Sequence, residues 1–289
     1  MKNFGILLTL LWSINLIAAD AGWINNFDGN QDSYLIKRNN EVISTTVFKV
    51  LQVGDIISVN NKRHFIELYV NGGEKVVTVK QQNSPFTITE SDKVPALSTE
   101  LWVWMKERFN DWHKLTKSLT VSNSSKTLNM PLLSNTVETV ALIAKDRTLY
   151  LQWDGGQMPY TVEVQKRLNS VTTKNSSSTM VKMDSIKLDA NSSYRIKVLD
   201  SKGQSFMGGF KTVELTKMPV NKAVLNSKLP IEVRQTLQAI WLAKQNNGKW
   251  VFEAYQQIAP FNNYQPAKLL KDALANGKKS KQKYRGIRG

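Results

Sequence analysis

Two histidines are the first residues of this chain to consider for chemistry, because histidine serves both as a general base and as a metal ligand. His64 lies in the basic stretch NNKRHF, and His113 lies on the polar face of a predicted helix. Neither has a partner at the spacing that metal ligation requires. We therefore expect both imidazoles to be solvated side chains, and we expect no metal cofactor.

Carboxylates are the second group of side chains that could support catalysis. Asp154 sits in a DGG turn, and Asp184 and Asp189 flank one predicted strand. Paired carboxylates hydrolyse glycosidic bonds, but nothing in this spacing brings two of them into one cleft. Aspartate is also a common turn residue. A hydrolase built on these side chains is therefore the weakest of three functional alternatives.

Two glycine-containing segments resemble catalytic motifs only in part. The segment 203–208, GQSFMG, lacks the second glycine that a nucleophile elbow requires. The segment 277–280, GKKS, follows a predicted helix and has no glycine five residues earlier, so it is not a phosphate-binding loop. The chain has no cysteine, which excludes disulfides and thiolate metal sites. The sequence predicts a protein that is not an enzyme and has no cofactor.

Tryptophan and tyrosine are the remaining candidates for a binding site. At helical spacing such side chains usually belong to a core, and we expect this of most of those found here. Trp104 lies at the margin of the apolar stripe of its predicted helix. The residues predicted to contact a protein partner are Trp104, Trp241, Trp250 and Tyr255.

The N-terminus has the features of a secretory signal peptide over residues 1–21. Lys2 precedes the uncharged apolar run FGILLTLLWSINLI, and Ala19-Asp20-Ala21 provides a cleavage site. The run is shorter than the roughly 20 residues that cross a bilayer, so we expect no membrane span after cleavage near Ala21. The absence of cysteine favours a bacterial envelope protein that is periplasmic or secreted. Such a location argues against a nucleic-acid partner.

Positive charge is concentrated at the C-terminus. The net charge is +16, and the basic tail over residues 277–289 has no acidic residue. A cluster of this kind favours contact with an anionic surface such as phospholipid headgroups. The predicted contacts are Lys278, Lys279, Lys281, Lys283, Arg285 and Arg288.

Residues 22–94 are predicted to form a small β-domain of six short strands. Asn71-Gly72-Gly73 supplies the positive-φ positions of a tight hairpin turn. The segment VLQVGDIISVNNKRHFIELYVNGGEKVVTVKQQNSPFTI resembles FecR-like periplasmic domains, in which a strand leads through a "G-D" turn into a hairpin. The resemblance implies a bacterial envelope setting and a scaffolding or signalling role.

Residues 95–120 are predicted to form an amphipathic connector helix, followed by a linker over 121–134. Seven strands are then predicted over residues 135–216, with Tyr194 at the spacing of a tyrosine corner and Trp153 in the core. This region resembles the fibronectin type III and immunoglobulin-like sandwiches, and such sandwiches have many unrelated binding roles.

Residues 229–276 are predicted to be helical, with a weak resemblance to a tetratricopeptide-type hairpin. The predicted fold class is therefore mainly β with α segments, in which two small β-domains are joined by a helix and followed by a helical hairpin. The predicted function is that of a periplasmic adaptor that binds an envelope protein through its helical segment. The alternative is a cell-wall or glycan-binding protein with aromatic platforms on its β-domains.

Overall fold

A computed structural model describes residues 19–73, 75–89, 99–116, 127–134 and 139–277. Within these ranges the chain forms fifteen strands and six helices, which confirms a mainly β protein with helical segments. Most of the predicted signal peptide, both ends of the predicted connector helix and the first part of the linker lie outside the described residues. The basic tail from Lys278 onward also lies outside them.

The first β-unit consists of two four-stranded sheets. Its strands are β1 (Asp20–Phe27), β2 (Tyr34–Arg38), β3 (Glu41–Ile43), β4 (Val50–Gln52), β5 (Ile56–Val59), β6 (Phe65–Val70), β7 (Lys75–Lys80) and β8 (Phe86–Thr87). The strand orders are β4-β1-β6-β7 and β3-β2-β5-β8. The predicted hairpin is confirmed, since β6 pairs with β7 and both Asn71 and Gly73 have positive φ.

The structure differs from the six predicted strands by adding β1 and β3. Strand β1 carries a β-bulge, because its register against β6 shifts between Ile24 and Asn26. A bulge breaks the strict alternation of apolar and polar residues by which a strand is recognised in a sequence. The bulge places Asn25 outside the paired register, and this asparagine is buried.

The second β-unit has the seven predicted strands. They are β9 (Val140–Ile143), β10 (Asp146–Gln152), β11 (Tyr160–Lys166), β12 (Asn169–Ser176), β13 (Met180–Lys187), β14 (Ser193–Leu199) and β15 (Ser205–Val213). One sheet has the order β12-β11-β14-β15-β9, and the other pairs β10 with β13. All pairs are antiparallel except β15 with β9.

A tyrosine corner fixes the entry into β14, as the sequence predicts. The Tyr194 hydroxyl accepts a hydrogen bond from the Asp189 backbone N–H at 2.9 Å. The Tyr194 ring is buried and stacks on Phe210 with a centroid distance of 5.4 Å. Trp153 is also buried in the core of this unit, where it meets Tyr160 edge-on.

Six helices complete the fold: α1 (Thr99–Thr116), α2 (Pro131–Ser134), α3 (Lys222–Leu225), α4 (Ile231–Leu242), α5 (Val251–Ile258) and α6 (Gln265–Ala275). Helix α1 packs against α4 and α6, while α6 packs on β1 and α5 packs on β9. Trp23 of β1 meets Phe109 of α1 with a centroid distance of 5.7 Å. The helices therefore form a layer that contacts both β-units, and the buried apolar residues form one continuous cluster.

Two buried polar side chains attach α5 to the second β-unit. The Glu253 carboxylate accepts a hydrogen bond from the Ile143 N–H at 3.0 Å and one from Arg147 at 2.7 Å. The Gln256 amide donates to the Tyr150 carbonyl and accepts from the Tyr150 N–H. Because buried polar groups are costly unless they are hydrogen-bonded, these partners specify how α5 sits on the sheet.

Among the described helices, none combines the length and apolar character needed to cross a membrane.

Candidate functional site

A cleft of about 620 Å³ lies where the first β-unit meets the helical layer. We call it the junction cleft. Clefts between structural units are frequent ligand sites, because both units contribute side chains to one concave space. The side chains that line it on the β side are Asn25, Glu67, Tyr69 and Val76, and those on the helical side include Glu232, Phe261 and Tyr264.

Three elements position the polar groups of the junction cleft. Glu67 and Tyr69 are two residues apart on β6 and therefore face the same side of the sheet. Asn25 reaches them from the β1 bulge, and its amide donates to the Glu67 carboxylate. Tyr264 precedes α6, and its hydroxyl donates to the Asn25 side-chain oxygen at 2.8 Å. A chain of hydrogen bonds thus runs from α6 through the bulge to Glu67.

A further polar group of the cleft, Glu232, comes from the first turn of α4. The N-terminal end of a helix dipole stabilises a negative charge at this position. No lysine, arginine or histidine of the described residues forms an ion pair with Glu232 or Glu67. The junction cleft is therefore acidic in a protein whose net charge is +16.

Tyr69 has an unused hydrogen-bonding group at the junction cleft. Its side chain is only 4% exposed, and its ring stacks on Trp23 with a centroid distance of 4.8 Å. Its hydroxyl has no hydrogen-bond partner among the described residues. Burial, together with the charges of Glu67 and Glu232, raises the pKa of Tyr69 to about 12. Tyr69 thus stays protonated at neutral pH and can donate a hydrogen bond to a ligand.

The junction cleft is suited to binding a positively charged group. Two carboxylates can accept charge-assisted hydrogen bonds from an ammonium or guanidinium group, and aromatic rings can pack against its aliphatic stem. The described residues contain no group of three or more histidine, cysteine, aspartate or glutamate side chains that could hold a metal ion.

A second cleft, of about 690 Å³, is lined by the C-terminal end of α1, by the first β-unit and by α6. Its ionisable side chains are Lys49 and His113. Burial, together with the charge of Lys49, lowers the pKa of His113, which also hydrogen-bonds the Phe48 backbone. His113 is thus half-buried with a lowered pKa, contrary to the expectation that it is solvated. Because this cleft has no carboxylate, it offers a ligand fewer strong contacts than the junction cleft.

His64 also differs from expectation, because it has a partner. Its Nδ1 lies 3.4 Å from the Asp28 carboxylate. Asp28 in turn accepts hydrogen bonds from the Phe65 N–H at 2.7 Å and from the Tyr34 hydroxyl at 2.9 Å. Through these two hydrogen bonds Asp28 connects β1, β2 and β6, and His64 lies beside the Asp28 carboxylate.

The predicted partner-binding residues fall into two groups. Trp250 and Tyr255 are 3% and 2% exposed, because they form part of the core between α5 and the second β-unit, and they are not available to a partner. Trp104 and Trp241 are half-buried and pack against the edge of the core. The Arg108 guanidinium lies 5.3 Å from the Trp104 ring centroid, so an internal cation already covers this ring.

None of the predicted partner-binding residues lies in the junction cleft. Glu67 and Glu232 each resemble an ordinary surface charge in the sequence, and only the fold brings them together. The six predicted basic contacts of the tail lie outside the described residues.

Comparison with known proteins adds little to this geometry. No protein-family model matches the chain, and a comparison with curated protein sequences finds no match. Among solved structures, CopC from Methylosinus trichosporium OB3b is similar to this chain at 20% identity and a TM-score of 0.21. The similarity covers 26% of this chain and 83% of CopC. A TM-score this low carries no argument about fold or function.

Proposed function

We propose that the protein is a non-enzymatic adaptor of the bacterial envelope, and that its junction cleft binds a lysine or arginine side chain of a partner protein. One observation carries the proposal. Two carboxylates that have no cation partner, Glu67 and Glu232, line the same cleft as the buried Tyr69, whose hydroxyl has no hydrogen-bond partner among the described residues. The envelope setting rests on the predicted signal peptide and on the FecR-like resemblance of the first β-unit.

The free edge of β7 provides a further reason to expect a polypeptide ligand. Val76 is 47% exposed on this edge strand and lines the cleft. The Lys80 N–H and the Thr78 carbonyl face away from β6, since both bond the Asn83 side chain. In an antiparallel pair every second residue faces outward, so Val76 also presents its backbone groups to the outside. An extended partner segment could pair there while its basic side chain enters the cleft.

Photo-crosslinking at Val76 tests this function in whole envelopes. A photoreactive residue at Val76 should capture a protein partner, and the yield should fall when Glu232→Gln is added. Val42 is the matched control, because it is 66% exposed on an edge strand of the other sheet of the same unit. Equal adducts from Val76 and Val42, or a Val76 adduct unaffected by Glu232→Gln, would contradict the proposal.

The alternative function, glycan binding, is favoured by a different feature of the same cleft. Phe261 provides an aromatic ring, and the neighbouring Asn262 and Asn263 side chains are exposed amides that can bond sugar hydroxyls. Titration with soluble peptidoglycan fragments separates the two candidates. If the NMR chemical shift changes that the fragments cause at Phe261 persist in the Glu232→Gln variant, the ligand is a neutral glycan, because binding of a cationic group requires the Glu232 carboxylate.

A further inference from the structure

Two consecutive glycines in β15 occupy very different surroundings. A Cβ at Gly208 would lie 2.6 Å from the Leu133 Cβ and 2.9 Å from the Phe206 ring, so packing requires a glycine there. A Cβ at Gly209 would meet only the Tyr194 carbonyl oxygen, at an ordinary contact distance of 3.7 Å. Gly209 is also not among the glycines with positive φ. Neither packing nor backbone conformation therefore explains Gly209.

A glycine inside a strand weakens it, and it often marks a place where a ligand or another backbone approaches closely. Gly209 is exposed on β15, beside the central strand β14 of the five-stranded sheet, and its missing side chain leaves a notch. The notch is part of a cleft of about 370 Å³ at the tyrosine-corner end of the sheet. We call it the Gly209 notch.

Three cationic side chains surround the Gly209 notch. Arg195 is the direct cross-strand neighbour of Gly209, and Lys211 follows two residues along β15 on the same face. Arg167, with a φ of 58°, completes the cleft from the turn after β11. All three side chains are exposed.

The three cations have no carboxylate partner within the described part of the chain. Other lysines of the same β-unit do: Lys166 lies 2.6 Å from Asp189, and Lys182 lies 3.1 Å from Asp184. Like charges around one concave site repel each other, and a bound anion would relieve this repulsion. Guanidinium groups bind phosphate through two parallel hydrogen bonds.

We propose that the Gly209 notch binds the phosphate group of an anionic ligand, with the phosphate seated over the Gly209 backbone between Arg195 and Lys211. Arg167 and the Ser193 side chain lie at the border of the site. The phosphate belongs either to a lipid headgroup or to a soluble phosphorylated molecule. This site is independent of the junction cleft, because the two clefts have no lining residue in common.

Calorimetric titration of the full chain with inorganic pyrophosphate tests the site. Gly209→Val fills the notch with a residue that favours strands, so it should weaken binding at least tenfold while the melting temperature stays equal or rises. Arg195→Gln should weaken binding at least fivefold. Lys187→Gln is the matched control, because Lys187 is an exposed strand lysine of the other sheet, and it should leave binding unchanged.

A second arm distinguishes the two sources of phosphate. Vesicles of phosphatidylglycerol and phosphatidylcholine are sedimented with the wild type and with Gly209→Val. A loss of vesicle binding in the variant assigns the site to a lipid headgroup, whereas loss of pyrophosphate binding alone assigns it to a soluble ligand. The proposal is overturned if pyrophosphate does not bind, or if Gly209→Val, Arg195→Gln and Lys187→Gln all bind it as the wild type does.

Discussion

The Arg147 guanidinium lies 2.7 Å from the Glu253 carboxylate, and both side chains are almost completely buried, at 7% and 2% exposed. This ion pair joins β10 of the second β-unit to α5 of the helical layer. Removing one member of a buried ion pair leaves the other charge without compensation, which costs far more than the pair itself contributes.

Glu253→Gln should therefore lower the free energy of unfolding by about 3 kcal/mol. The amide retains the size of the side chain but leaves Arg147 without a counter-charge, so the loss measures electrostatics more than packing. Urea denaturation followed by tryptophan fluorescence provides the measurement. Glu41→Gln, at an exposed position on β3, is the control and should change stability by less than about 0.5 kcal/mol. Equal stability of the two variants would show that this pair does not hold α5 in place.

Tyr194→Phe removes only the hydroxyl of the tyrosine corner. We expect it to lower the free energy of unfolding by about 1 kcal/mol, the usual net contribution of one hydrogen bond. Tyr150→Phe is the matched control, since the Tyr150 hydroxyl has no hydrogen bond within the described residues and its loss should have little effect. If Tyr194→Phe were as stable as Tyr150→Phe, the corner would owe its shape to ring packing alone.

His113 should make stability depend on pH. Because burial lowers the pKa of this imidazole in the folded state below its ordinary value of 6.5, the unfolded chain takes up the proton more readily as the pH falls. His113 therefore contributes no pH dependence well above pH 6.5, and it lowers stability as the pH falls below 6.5. Urea denaturation at pH 7.5 and pH 5 should show a larger loss for the wild type than for His113→Gln. An identical loss in both would mean that His113 titrates normally.

The junction cleft should be detectable through Tyr69. Its raised pKa has burial as the largest cause, followed by the charges of Glu67 and Glu232. Glu232→Gln removes one negative charge, so the pKa of Tyr69 should fall, although burial should hold it above the ordinary tyrosine value of 10.0. Tyrosine ionisation followed by carbon NMR gives the value directly. An unchanged pKa would place Glu232 too far from the phenol for both to bind one ligand.

The strands of the second β-unit could be predicted because their information is local. Alternation of buried and exposed residues along β11 and β14 is nearly perfect, and the spacing from Leu188 to Tyr194 identifies the corner. The sequence does not predict strand β1, because its bulge and adjacent asparagines break this alternation. A bulge becomes visible only when the partner strand is known.

The junction cleft could not be predicted from the sequence. Asn25 and Tyr264 are hydrogen-bonded although 239 positions separate them along the chain. The aromatic residues chosen from the sequence, Trp250 and Tyr255, are core residues, as helical spacing generally indicates. The Gly209 notch could be predicted only in part, because Gly209 and Lys211 are close in the sequence whereas Arg195 and Arg167 are brought to them by the fold.

The helical layer also determines how the chain can be divided. Trp23 of the first β-unit and Phe210 of the second are both covered by aromatic rings of the helical layer, Phe109 and Phe252 respectively. A chain ending at Lys228 would lose α4, α5 and α6 and would expose apolar surface on both β-units. We therefore expect the intact chain to unfold in a single cooperative transition, and a shortened one to aggregate. If the shortened chain failed to bind a partner, the cause would be its damaged fold and not the loss of a binding surface. Binding should therefore be mapped with point substitutions.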